Sequence, residues 1–80
     1  MFTLEMNDDG SRDEQEFENR PSREEIAAAC RDWVLDGEWG DAGAIIEVGW
    51  RLLSGGVLLD SGDEVVIIEP NHKALIIAAG

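Results

Sequence analysis

Ser22-Arg23-Glu24-Glu25-Ile26-Ala27-Ala28-Ala29-Cys30-Arg31-Asp32-Trp33-Val34-Leu35-Asp36-Gly37 is the stretch on which the fold turns. Ser22 with Glu25 three residues on is a capping box, in which each side chain satisfies the other's free backbone N–H. Pro21 stands before the cap, where it costs the helix nothing. Ile26, Ala29, Cys30, Trp33 and Val34 then recur at i, i+3, i+4, i+7 and i+8, one apolar stripe of helical period. Gly37 is the expected C-terminal cap. Arg23, Glu24, Ala27, Ala28, Arg31 and Asp32 are expected to face outward. A helix with one apolar stripe must bury it against something else.

The C-terminal half supplies the surface. Ala44 to Leu53 alternates with period two: Ile46, Val48, Trp50 and Leu52 share one face, and Ile45, Glu47, Gly49, Arg51 and Leu53 the other. Ser54-Gly55-Gly56 reads as a hairpin connection, because its turn needs positive φ. Val57 to Asp60 is expected as a short strand, Ser61-Gly62 as a second turn, and Glu64 to Glu69 as a further strand. Pro70-Asn71-His72 reads as a turn or a helix start. Lys73 to Ala79 fits a buried helix or a buried strand, and periodicity does not arbitrate. The strand reading, which the balance slightly favours, pairs Val65–Ile68 with Ala74–Ile77.

Upstream of the helix, Phe2-Thr3-Leu4-Glu5-Met6 alternates as a short strand. Residues 7–20 are rich in Asp, Glu, Asn, Gly and Ser. They read as a solvated, mobile acidic loop with a turn signal at Asp9-Gly10; a second strand around Glu14–Glu18, pairing back on the first, is the alternative. The expected architecture is a single α+β domain over 1–80, one capped amphipathic helix packed on a mainly antiparallel β-meander of three to five strands.

The composition bounds function. A chain of 80 residues buries only about 60–65% of its unfolded surface, so its core is small. The single cysteine, Cys30, allows no internal disulfide, which with the lack of a basic n-region and long apolar h-region points to a cytoplasmic protein. No apolar run reaches the length of a membrane span. Net charge is −12, from 18 acidic and 6 basic residues. Residues 1–41 carry 13 acids and 4 arginines, and residues 42–80 carry 5 acids and 2 bases, so the acidity belongs to the first half. Such a chain repels nucleic acid and anionic membranes and attracts basic surfaces.

Catalytic equipment is sparse. His72 is the only histidine and has no partner at a catalytic spacing. Cys30 lies on the apolar stripe, where a thiol behaves as a small hydrophobe. One Cys and one His cannot complete a zinc site. Glu5, Asn7, Asp9, Gly10 and Glu16 match the first, third, fifth, sixth and twelfth positions of a calcium loop. Glu in place of the leading Asp, Arg12 at the apolar eighth position and the absence of room for an entering helix argue against one. Ser54-Gly55-Gly56 lacks the lysine and the following helix of a phosphate loop. The expectation is a protein that is not an enzyme and has no cofactor or metal.

Three readings of the acidity remain. One is a solvated surface, as in salt-adapted proteins, although Asp does not exceed Glu (8 against 10). A second is mimicry. In size, charge and lack of catalytic residues the chain resembles the small acidic DNA-mimic inhibitors of phages and mobile elements, of anti-CRISPR or anti-restriction type. The resemblance spans the whole chain in composition and rests on no motif. It implies a partner with a basic surface, such as a nucleic-acid-binding complex, and no direct contact with nucleic acid. Asp8, Asp9, Asp13, Glu14, Glu16, Glu18, Glu24, Asp32, Asp36 and Glu38 would then act collectively in place of phosphates, with Trp39 as an aromatic anchor. The third is a regulatory or antitoxin-like module that docks by an apolar helix or sheet surface, including as a homodimer. Ala28, Leu35, Ile45 and Leu53 are the surplus apolar positions behind it.

Overall fold

The computed structural model describes residues 1–8, 10–37 and 43–69 in full and the backbone of 74–78. The elements in chain order are β1 (Phe2–Asp8), β2 (Ser11–Phe17), α1 (Arg23–Asp36), β3 (Ile45–Ser54), β4 (Val57–Ile68) and β5 (Ala74–Ala78). The strands form one antiparallel sheet in the order β2-β1-β3-β4-β5. The helix packs on one face of it, so the expected α+β arrangement is present.

The helix forms where the capping signal places it. The Glu25 N–H donates to Ser22 Oγ at 3.1 Å, and the Ser22 N–H donates to Glu25 Oε1 at 3.1 Å. Ile26, Cys30 and Val34 are buried, with Ala29 and Trp33 packed against them. Gly37 ends the helix by donating its N–H to the Trp33 carbonyl at 3.1 Å. Its φ of −79° is right-handed, so glycine's access to positive φ is not what closes the helix. Replacing Ser22 with alanine removes one capping bond and is expected to cost about 1 kcal/mol. In a domain of this size that lowers the melting midpoint by about 4–8 °C. An unchanged circular-dichroism melt would show that the cap does not hold the helix.

The core lies between α1 and the inner sheet face. Leu4 and Met6 of β1, Ile46, Val48, Trp50 and Leu52 of β3, and Val66 and Ile68 of β4 are buried there with the helix stripe. The alternation of β3 therefore places its faces as its sequence indicates. The hairpin tip between β3 and β4 is Gly55-Gly56, both at positive φ (57° and 82°), the backbone that a two-residue hairpin turn requires.

Two expectations are corrected. Among its described residues, the acidic stretch 7–20 is mostly strand and not loop. Ser11–Phe17 is a strand paired along its length with β1, from Phe2↔Phe17 to Asp8↔Ser11, and it begins three residues earlier than the alternative second strand. Its stability comes from the backbone ladder with β1, because every residue from Ser11 to Glu16 is exposed. The second correction is at Ser61-Gly62, which is no turn: β4 runs unbroken through it. Leu59 is an extra residue opposite the Leu52–Leu53 step. This bulge shifts the alternation of β4 by one residue, so the sequence looks like two strands. Gly62 serves a close approach instead. A Cβ there would stand 2.8 Å from Trp50 Cζ2, so the indole packs directly on the backbone of β4.

At the C-terminal end, β5 is a strand and pairs Val65↔Ile77 through Ile68↔Ala74, the register of the strand reading.

Candidate functional site

The strongest concentration of the predicted partner-binding residues is at the β2 end of the molecule. Alternation along β1 sends Leu4 and Met6 to the helix side, and the ladder places Gln15 and Asp13 opposite them. Those two positions face the C-terminal half of α1. Between them runs an open groove of about 530 Å³, floored by Met6. Asp13 and Gln15 form one wall, and Asp32, Trp33 and Asp36 form the other. The helix contributes Asp32, Trp33 and Asp36 to one side because residues three and four apart share a helical face.

Thus Asp13, Asp32 and Asp36, widely spaced in sequence, meet around one groove. Glu14 and Glu16 belong to the same edge strand but point to the opposite sheet face. There Glu16 accepts a hydrogen bond from the Thr3 hydroxyl at 3.2 Å. Glu24 lies at the other end of α1, about 18 Å along the axis from Asp36 at 1.5 Å per residue. Asp8 ends β1 and is half-buried, and Glu18 follows β2. Asp9, Glu38 and Trp39 lie outside the described residues, as do His72 and Lys73.

The arginines are mostly engaged elsewhere. Arg12 and Arg51 both flank Glu5, at 3.2 and 3.6 Å, and neutralise the centre of the open sheet face. Arg23 reaches Asp60 at 3.6 Å and lies over the Trp50 ring, 5.2 Å from its centroid. Arg31 touches Asp32 at 3.7 Å, an exposed pair of small energetic weight. Among the described residues no basic group lies within 4 Å of Asp13, Glu14, Glu16 or Asp36, so this end keeps most of its negative charge.

Trp33 is only half-buried and gives the groove an aromatic wall, whereas its place in the apolar stripe suggests core alone. Trp50 is core, at 1% exposure. The calcium-loop match over Glu5–Glu16 is taken up by the β1–β2 hairpin. Its two extended strands place Glu5 between arginines and Glu16 opposite Thr3, and Asp9 lies outside the described residues.

Cys30 is fully buried, and burial pushes its thiol up to about 12, with the Glu64 carboxylate adding to the shift. The thiolate is the nucleophilic form, so this residue offers no reactive sulfur at neutral pH. The same shift ties stability to alkaline pH. In the unfolded chain the thiol ionises near 9.0, and in the folded protein only near 12. The unfolded state alone loses its proton in that window, so the contribution is intact below pH 9 and is lost toward pH 12. The chain has no tyrosine to titrate in the same range. Urea midpoints are expected to fall from pH 9 to 11 in the native protein and to fall less in Cys30→Val. Equal slopes would show that the thiol is not held neutral by the fold.

Comparison of the chain with protein-family models, curated proteins and solved structures found no match.

Proposed function

We propose that this chain is a non-enzymatic, cytoplasmic binding protein that presents carboxylates to a basic, nucleic-acid-binding protein surface, in the manner of an anti-CRISPR or anti-restriction DNA mimic. The observation that supports it is the convergence of Asp13, Asp32 and Asp36 on one groove, with Glu14 and Glu16 on the same exposed edge strand. A β-strand advances about 3.4 Å per residue, and each strand of duplex DNA carries a phosphate about every 3.4 Å of axis. Successive residues of β2 alternate between the two faces, so the edge offers Asp13 toward the groove and the Glu14–Glu16 pair, about 6.8 Å apart, on the open face, a spacing of two phosphate steps. Trp33 adds an aromatic contact beside the charges, the pairing typical of interface hot spots.

The test is competition. The chain is expected to displace duplex DNA from basic DNA-binding domains, with an affinity that falls steeply as salt rises. A second reading, docking through an apolar surface, draws on the exposure of Ile45 (70%), Val57 (62%) and Leu58 (51%). Binding that persists undiminished in molar salt would favour that reading and exclude charge mimicry.

A further inference from the structure

The two edges of the sheet are built differently. On β2 the exposed edge carries Arg12, Asp13, Glu14 and Glu16, and such charges keep an edge from pairing with another chain. The other edge, β5, reads Ala74-Leu75-Ile76-Ile77-Ala78 and has no charge, proline or glycine. It is the last strand in the sheet order, and among the described residues no backbone bonds to its outer side. An uncharged open edge of this kind is a template for strand addition.

We propose that β5 pairs antiparallel with β5 of a second copy of this chain, about a two-fold axis at Ile76. The sequence is self-complementary under that operation: Ala74 meets Ala78, Leu75 meets Ile77 and Ile76 meets its equivalent. The sheets of the two copies become continuous. On the open face, the register positions of Leu75 and Ile77 adjoin Ile67 and Val65, and Ile67 adjoins Ile45. Pairing joins these rows from both copies into one continuous apolar stripe along the open face.

Self-complementarity of the strand points to a second copy as the occupant, and charge placement permits it. Each chain carries −12, yet its carboxylate-rich β2 edge is at the far end of the sheet from β5. Joining the β5 edges sets the two acidic ends as far apart as the sheet allows and leaves the mimic groove of each copy open. The proposal does not depend on the function suggested for that groove. A five-residue strand contact is small, so the dimer belongs with interfaces under about 1,200 Å², which are weak or transient.

Sedimentation velocity on the intact chain, from about 1 µM to 1 mM, spans the dissociation of such a contact. The expected result is a concentration-dependent rise from the 8.8 kDa monomer toward twice that mass, stronger in 0.5 M NaCl, where repulsion is screened. Leu75→Lys places a cation on the edge and lowers the net negative charge, so weaker association cannot be ascribed to added repulsion. It should raise the dissociation constant at least about tenfold with an unchanged far-ultraviolet spectrum. Should that variant fail to fold, hydrogen exchange on the native chain decides: amides of 74–78 should gain protection as concentration rises. A monomer at 1 mM in 0.5 M NaCl, or a dimer whose protection appears at Val57–Leu59 or β2 instead, overturns the proposal.

Discussion

Trp50→Ala is expected to lower the unfolding free energy by about 3–5 kcal/mol, the usual cost of truncating a fully buried tryptophan. Trp50 is among the largest fully buried side chains, at 1% exposure. It sits on the Gly62 backbone, with the Arg23 guanidinium over its ring, and so ties β3, β4 and the start of α1 together. An 80-residue domain has about 4–12 kcal/mol of stability in all. The variant therefore loses a large fraction of it and is expected to be partly unfolded at 37 °C. Trp50→Phe should cost clearly less. It keeps an aromatic ring, and it removes an Nε1–H that is buried without a partner among the described residues, a group that costs about 1–3 kcal/mol to leave unsatisfied.

Gly62→Ala probes the same contact from the other strand. Its Cβ would meet Trp50 Cζ2 at 2.8 Å, and such overpacking costs about 1–3 kcal/mol. Combined with Trp50→Phe, the loss should be smaller than the sum, because the smaller ring makes room. Urea denaturation of the native protein and the four variants reads all of this. A Trp50→Ala loss below about 1 kcal/mol, or strict additivity in the double variant, would mean that the indole does not clamp these strands.

The second large effect is on binding. Asp13→Asn, Asp32→Asn, Asp36→Asn, Glu14→Gln and Glu16→Gln together strip the charge from the β2 end. Each exposed ion pair contributes about 0.5–1 kcal/mol, so five give about 2.5–5 kcal/mol, a loss of about 70- to 5,000-fold in affinity for a basic DNA-binding partner. Folding should be unharmed, since none of the five is buried and removing like charges relieves repulsion. A control that neutralises Glu47, Asp63 and Glu69 changes the net charge by three and should keep most of the affinity. If the control loses as much per charge as the five-site variant, net charge and not the groove governs binding, and the proposed surface is wrong. Calorimetry at two salt concentrations makes the measurement.

Local physics made part of this molecule legible in its sequence. The Ser22–Glu25 box and the Ile26–Val34 stripe define a helix because both act within one or two turns. The alternation of β3 names its buried face because period two has only one good register against a core. The acidic balance is a sum over residues and needs no fold. The sequence also determined the sparseness of histidine and cysteine, which constrains chemistry whatever the shape.

Tertiary structure alone decided three matters. Ser11–Phe17 is a strand because β1 offers it a hydrogen-bonding edge, and a fully solvated edge strand has no apolar alternation by which to announce itself. Val57–Ile68 is continuous because a bulge at Leu59 absorbs a phase error that reads locally as a break, and because Gly62 lies under an indole twelve residues away. The carboxylates sort by face: Asp13 joins Asp32 and Asp36 across the groove, Glu14 and Glu16 turn away, and Glu24 stays at the far end of α1. Which charges become neighbours depends on strand register and helix placement, and those are fixed by contacts between residues distant in the chain.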